Sequence, residues 1–266
     1  MSAATITRRT GSDDRAERNA WPSVPFTRLT MVELRKQLDT RAGVWLMVAI
    51  VVVNAAIIAL TLTSLDPEDL TWASLTEAAS VGQLILLPLL GILAATGEWS
   101  QRTALTTFVL EPRRTRVTLA KITSSVALGL VVTAGAFAAA AAFNVLGMAL
   151  RDGDGSWSMS AAVIGGNILA LVFLVVQGVA FGLALINTPM AIVAYLALPT
   201  AWSLLVALVE GARGPAEWLD VNATLQPLLA GEMAGGDWAR LGVSAAVWVA
   251  VPLAIGLWRT GRREVG

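Results

Sequence analysis

The side chains that carry most protein chemistry are missing from this sequence. It has no Cys and no His, which removes disulfides, Cys/His zinc sites, thiol nucleophiles and histidine general bases. No Ser/His/Asp set and no H-E-x-x-H occurs, and no G-x-x-x-x-G-K-[ST] loop is present to cradle the phosphates of a nucleotide. Chemistry-bearing residues concentrate instead in the stretch from Gly97 to Lys121, GEWSQRTALTTFVLEPRRTRVTLAK. Glu98 and Arg102 precede a segment, Thr103 to Leu110, that spans about two turns at 3.6 residues per turn and carries Leu105, Phe108 and Val109 on one side. Glu111-Pro112 stops it, because the residue before proline is pushed out of helical backbone. Arg113, Arg114 and Arg116 follow. An apolar face beside clustered cations suits docking rather than bond-making, since such a face stays exposed unless it meets lipid or protein. Charge alone also fits an ordinary basic loop against anionic lipid headgroups.

The elements that must position this stretch are membrane helices. The chain has 266 residues, 56% of them hydrophobic and only 14% charged, the composition of a protein whose solvent is lipid. Six apolar stretches, at about 43–64, 78–96, 122–150, 159–186, 189–209 and 241–258, each reach the ~20 residues that cross a hydrocarbon core. The third and fourth exceed that length and must tilt, kink or project. Asn187 and Thr188 before Pro189 separate the fourth from the fifth, a helix-stop followed by a helix-start proline. The fold class expected is therefore an all-α membrane protein with six transmembrane helices.

Residues 1–25 lack periodicity and read as a disordered polar tail, without the apolar core of a cleaved signal. Residues 26–42 read as an amphipathic interfacial helix, with Met31, Leu34 and Leu38 on one face and the pairs Glu33 with Gln37 and Arg35 with Asp39 on others. Sidedness follows from the basic residues, which cytosolic loops retain. Sixteen of the nineteen Lys and Arg fall in the first forty-two residues, the 97–121 stretch and the 259–266 tail. Both termini are thus expected in the cytosol. Trp72, Trp157, Trp218 and Trp238 mark the outer boundaries, and Trp45, Trp99 and Trp258 the inner ones.

The apolar spans hold no Asp, Glu, Lys or Arg away from their ends, which argues against an ion-coupled carrier. Their polar content is limited to groups such as Asn54, Gln83, Asn144, Asn167 and Gln177. These either line a substrate path or hydrogen-bond helix to helix. Gly178 and Gly182, together with the Ala-rich run 134–142, suit close helix packing. The segment 210–238 reads equally as a plain outer loop or as a re-entrant or surface helix.

The 97–121 stretch resembles the permease subunits of ATP-binding-cassette exporters of the type-2 class. Their pattern after the second membrane helix is Gly-Glu, a basic residue, a helix running from Thr to Leu, Pro, one or two Arg, and a Lys opening the third helix. This chain has Gly97-Glu98, Arg102, Thr103, Leu110, Pro112, Arg113-Arg114 and Lys121 in that order, although Trp99-Ser100-Gln101 departs from the commoner residues. The resemblance, with the preceding amphipathic helix and six-span layout, covers about residues 26 to 260. It implies that Thr103 to Leu110 is a coupling helix seated in a separate ATPase subunit, with Leu105, Phe108 and Val109 buried there and Arg113 and Arg114 anchoring it. Two ATPase copies would carry the ATP and Mg, none being bound by this chain. A second permease chain, identical or paralogous, would complete a path for an apolar or amphipathic substrate across a prokaryotic plasma membrane. The chain itself would be no enzyme and would bind no nucleic acid. The alternative is a non-transporting scaffold or sensor that docks a cytosolic partner through the same loop.

Overall fold

The computed structural model describes residues 24–209 and 213–262; the expected tail at 1–25 lies almost wholly outside them. Among the described residues there is no strand, and six helices are long and apolar enough to cross a membrane. The elements are α1 (Phe26–Asp39), α2 (Arg41–Ser64), a 3-10 turn (Pro67–Asp69), α3 (Trp72–Ser100), α4 (Ala104–Leu110), α5 (Arg114–Arg151), α6 (Ala161–Leu185), α7 (Thr188–Leu208), α8 (Arg213–Leu219), α9 (Val221–Ala230), α10 (Gly235–Ala245), a π turn (Ala246–Ala250) and α11 (Val251–Arg262). The last span is built from α10, the π turn and α11 together.

Local chemistry sets most boundaries. Thr40 caps α2 by accepting the Gly43 N–H at 3.1 Å. A Cβ on Gly43 would lie 1.8 Å from the Gln37 carbonyl oxygen, so the elbow between α1 and α2 requires glycine. Thr71 and Ser74 form a capping box, which starts α3 at Trp72, a turn and a half before the apolar stretch. Asn187 accepts the Met190 N–H at 3.0 Å, with Pro189 in the first turn of α7. The break expected there is present. α5 has 38 residues, about 57 Å at 1.5 Å per residue, and so projects well beyond a ~30 Å hydrocarbon core. Arg114, Thr115 and Arg116, expected in a loop, form its first turn.

The core runs through α2, α3, α5 and α6, where Ile50, Leu87, Leu90, Leu128, Leu171 and Val175 pack together. α3 and α6 make the closest approach: a Cβ on Gly178 would lie 2.0 Å from the Pro88 carbonyl oxygen. Pro88 has no N–H to give the Leu84 carbonyl. The Tyr195 hydroxyl donates to that carbonyl at 2.9 Å, which fastens α7 to α3 at the defect. Ala191 is buried beside Ile92, while Met190, Val193, Leu204 and Leu208 of α7 are exposed.

The outer segment is helical where described. Val221, Leu225 and Leu228 of α9 pack on Ala170 and Leu174 of α6 and on Leu241. A Cβ on Gly231 would touch Val163. Contacts from Val163 to Leu174 carry α9 about 16 Å along α6 by helical rise. α9 thus packs as a helix along α6 rather than forming a plain loop, and its first turn is held by Asp220, which caps α9 and accepts the Ser203 hydroxyl of α7 at 2.8 Å. Trp248 in the π turn donates its indole N–H to the Leu219 carbonyl at 2.7 Å.

Candidate functional site: the α4 end

α3 ends in a motif that fixes the direction of α4. The Thr103 N–H reaches back to the Glu98 carbonyl at 2.8 Å and the Arg102 N–H to the Trp99 carbonyl at 3.3 Å, the paired bonds of a Schellman cap. Arg102 occupies the left-handed position of that cap, φ 57°, where glycine is usual. Its side chain is exposed.

Four charged residues meet where this turn joins α1 and α5. The Glu98 carboxylate lies 2.6 Å from Lys36 Nζ and 3.1 Å from Lys121 Nζ. Glu33 lies 2.7 Å from each of the same two lysines. The charges alternate around a closed ring, so each is flanked by two of opposite sign. Burying a charge costs several kcal/mol unless it is so compensated, and here Glu33, Glu98 and Lys121 are all buried. Lys36 is the accessible member, its side chain 38% exposed. Burial works against its ammonium, but Glu33 and then Glu98 outweigh this and hold Lys36 above the ordinary lysine value. Gln37 extends the network, donating to Ser124 at 2.8 Å and accepting from Ser125 at 3.2 Å.

The network positions α4. Thr107 donates its hydroxyl to Glu98 at 2.8 Å, and Ala104 is buried. Phe108 turns inward beside Leu29, Val117 and Ala120, with its ring 6.2 Å from that of Trp99 and 4.9 Å from the Arg114 guanidinium. Arg114 also donates to the Thr260 carbonyl of α11, so the last span joins the same end. Arg116 pairs with Glu111 at 2.7 Å and bonds the Val24 carbonyl at 2.9 Å. What α4 presents outward is Leu105, Val109 and Leu110, at 52%, 69% and 73% exposure. Pro112 and Arg113 are exposed beside them.

The placement differs from the sequence reading at particular residues. Of the expected apolar cluster, Leu105 and Val109 face out, while Phe108 is committed to the chain's own packing. Of the two arginines, Arg113 is free to reach outward and Arg114 is engaged within the bundle. On α1, Met31 and Leu38 are exposed and Leu34 is partly buried, whereas Leu29, Glu33 and Gln37 form the face buried in the bundle. Glu33 and Gln37 turn in because the ring and the serines of α5 give them partners. The pair Arg35 with Asp39 does not form an ion pair. Glu33 and Lys36 were missed as site residues; their signal was the i, i+4, i+8 spacing of Leu29, Glu33 and Gln37, which marks one helical face.

The buried amides divide. Gln83 accepts from Thr133 at 2.8 Å and Asn167 from Ser80 at 2.8 Å, each joining two spans. Asn144 donates to the Gly155 carbonyl at 3.2 Å in the loop after its own helix. Asn54 Oδ1 and both polar atoms of Gln177 have no partner among the described residues. No group of three or more acidic side chains there is arranged to hold a metal ion. No family model, curated protein or solved structure matches the chain.

Proposed function

We propose that this chain is the membrane-spanning permease subunit of an ATP-binding-cassette exporter of the type-2 class, with α4 as the helix through which a separate ATPase drives it. One observation carries the reading: α4 is a short helix with one face locked to α1, α3 and α5 by Glu98, Thr107 and Phe108, while its other face presents Leu105, Val109 and Leu110 to the surroundings. A force applied to that face would pass through the charge ring into two membrane helices at once. The positive-inside bias puts the α4 end in the cytosol, where an ATPase resides. ATP and Mg belong to that partner, since the chain has no phosphate-cradling loop. The exposed flanks of α2 and α7 suit lipid and a second permease chain. The apolar spans, with few amides, suit an apolar or amphipathic substrate.

The test is co-purification from membranes. The wild-type chain is expected to bring down a soluble ATPase with a Walker A sequence. Leu105→Glu with Val109→Glu should abolish that association while the chain remains in the membrane, because neither side chain supports the fold. Retention of the ATPase by the double variant would remove α4 as the dock.

A further inference from the structure

A cavity of about 910 Å³ opens between α1, the adjoining half of α3 and α4. Its lining combines apolar Leu90, Leu93 and Ala94 of α3 with cationic Arg28 and Arg35 of α1. From Leu90 to Glu98 the lining extends eight residues along α3, about 12 Å by helical rise, over a third of a ~30 Å hydrocarbon core. The two arginines are seven residues apart and so share a helical face. Both are exposed, and neither makes a hydrogen bond or ion pair among the described residues. The acids nearby are mostly spoken for: Glu33 and Glu98 by the lysines of the ring, Glu111 by Arg116. Asp39 alone opposes the two arginines in the lining.

We propose that this cavity is a site for one anionic phospholipid of the leaflet at the α4 end, with its phosphate at Arg28 and Arg35 and the upper part of its chains against Leu90 and Leu93. A guanidinium offers a phosphate two parallel N–H donors, and basic pockets between membrane helices are where anionic headgroups settle. The apolar depth selects a lipid over a free anion. The lipid would brace α1 against α3 beside the charge ring, and this holds whether or not the ATPase partnership does.

The experiment is native mass spectrometry of the full chain released from nanodiscs of phosphatidylcholine and phosphatidylglycerol. One phosphatidylglycerol per chain is expected, enriched about twenty-five-fold over the bulk ratio, from roughly fivefold for each arginine at a phosphate surface. Arg28→Gln with Arg35→Gln should return the ratio to bulk. Leu93→Trp, which leaves both arginines in place, should lower the occupancy of either lipid. Arg113→Gln, an exposed cation outside the cavity, should leave the enrichment intact. Inorganic phosphate should not displace the lipid. Equal enrichment in the double glutamine variant, equal loss in Arg113→Gln, or displacement by inorganic phosphate would each overturn the proposal.

Discussion

The two ends of the bundle are held by opposite means. At the α4 end, Glu33, Lys36, Glu98 and Lys121 join three helices through ion pairs of 2.6 to 3.1 Å. At the other end, α9 is set into the bundle mainly by Val221, Leu225 and Leu228 against α6, with one hydrogen bond from Ser203 of α7 to Asp220. An apolar contact is non-directional, whereas an alternating charge ring has one register. The α4 end is therefore held mainly by charge pairs and the α9 end mainly by apolar packing. That contrast suits the proposed input at the α4 end.

Substitutions that break the contrast should rank accordingly. Lys121→Ala leaves Glu33 and Glu98 buried with a single cation between them, and should cost about 3–5 kcal/mol in thermal unfolding of the detergent-solubilised chain. Leu225→Ala at the opposite end leaves a cavity with no charge exposed, and should cost about 2–5 kcal/mol while α4 keeps its place. A loss at Lys121 smaller than that at Leu225 would undo the ranking. Arg102→Gly relieves a left-handed non-glycine residue and should stabilise the turn into α4 by about 1 kcal/mol. The smallest effect is from pH. Lys36 has its folded value raised above 10.5, so its contribution is complete below the unfolded value and is lost only as pH climbs through the raised one. The unfolding midpoint should therefore show no Lys36-dependent change between about pH 7 and 9, and above 10.5 should fall further in wild type than in Lys36→Met.

The six spans were legible in the sequence because length and apolarity are properties of contiguous residues. The break at Asn187 to Pro189 was legible for the same reason. The 97–121 stretch was legible as a short helix between Glu98 and Pro112, since its stop signals are local. What sequence hid was direction. Phe108 and Val109 are adjacent and both apolar, and only Leu29, Val117 and Ala120, distant in sequence, decide that Phe108 turns in. Likewise Glu33 pairs with Lys121 across 88 positions, so the partner that buries this carboxylate is invisible in α1 read on its own. α9 was half visible: Leu225 and Leu228 marked an amphipathic segment, but its close seat on α6 depends on small residues there such as Gly166, whose Cβ would strike the Leu228 carbonyl.

The outward face of α4 is the proposed seat of the ATPase. Because the chain has no cysteine, Val109→Cys places a single thiol on that face, and Gln226→Cys places one at an exposed position of α9 at the other end. The most direct measurement is thiol crosslinking in membranes of each variant, followed by identification of the linked chain. Val109→Cys is expected to link to a Walker A ATPase and Gln226→Cys is not. A link to that ATPase from Gln226→Cys, or none from Val109→Cys while the complex still co-purifies, would rule out α4 as the seat.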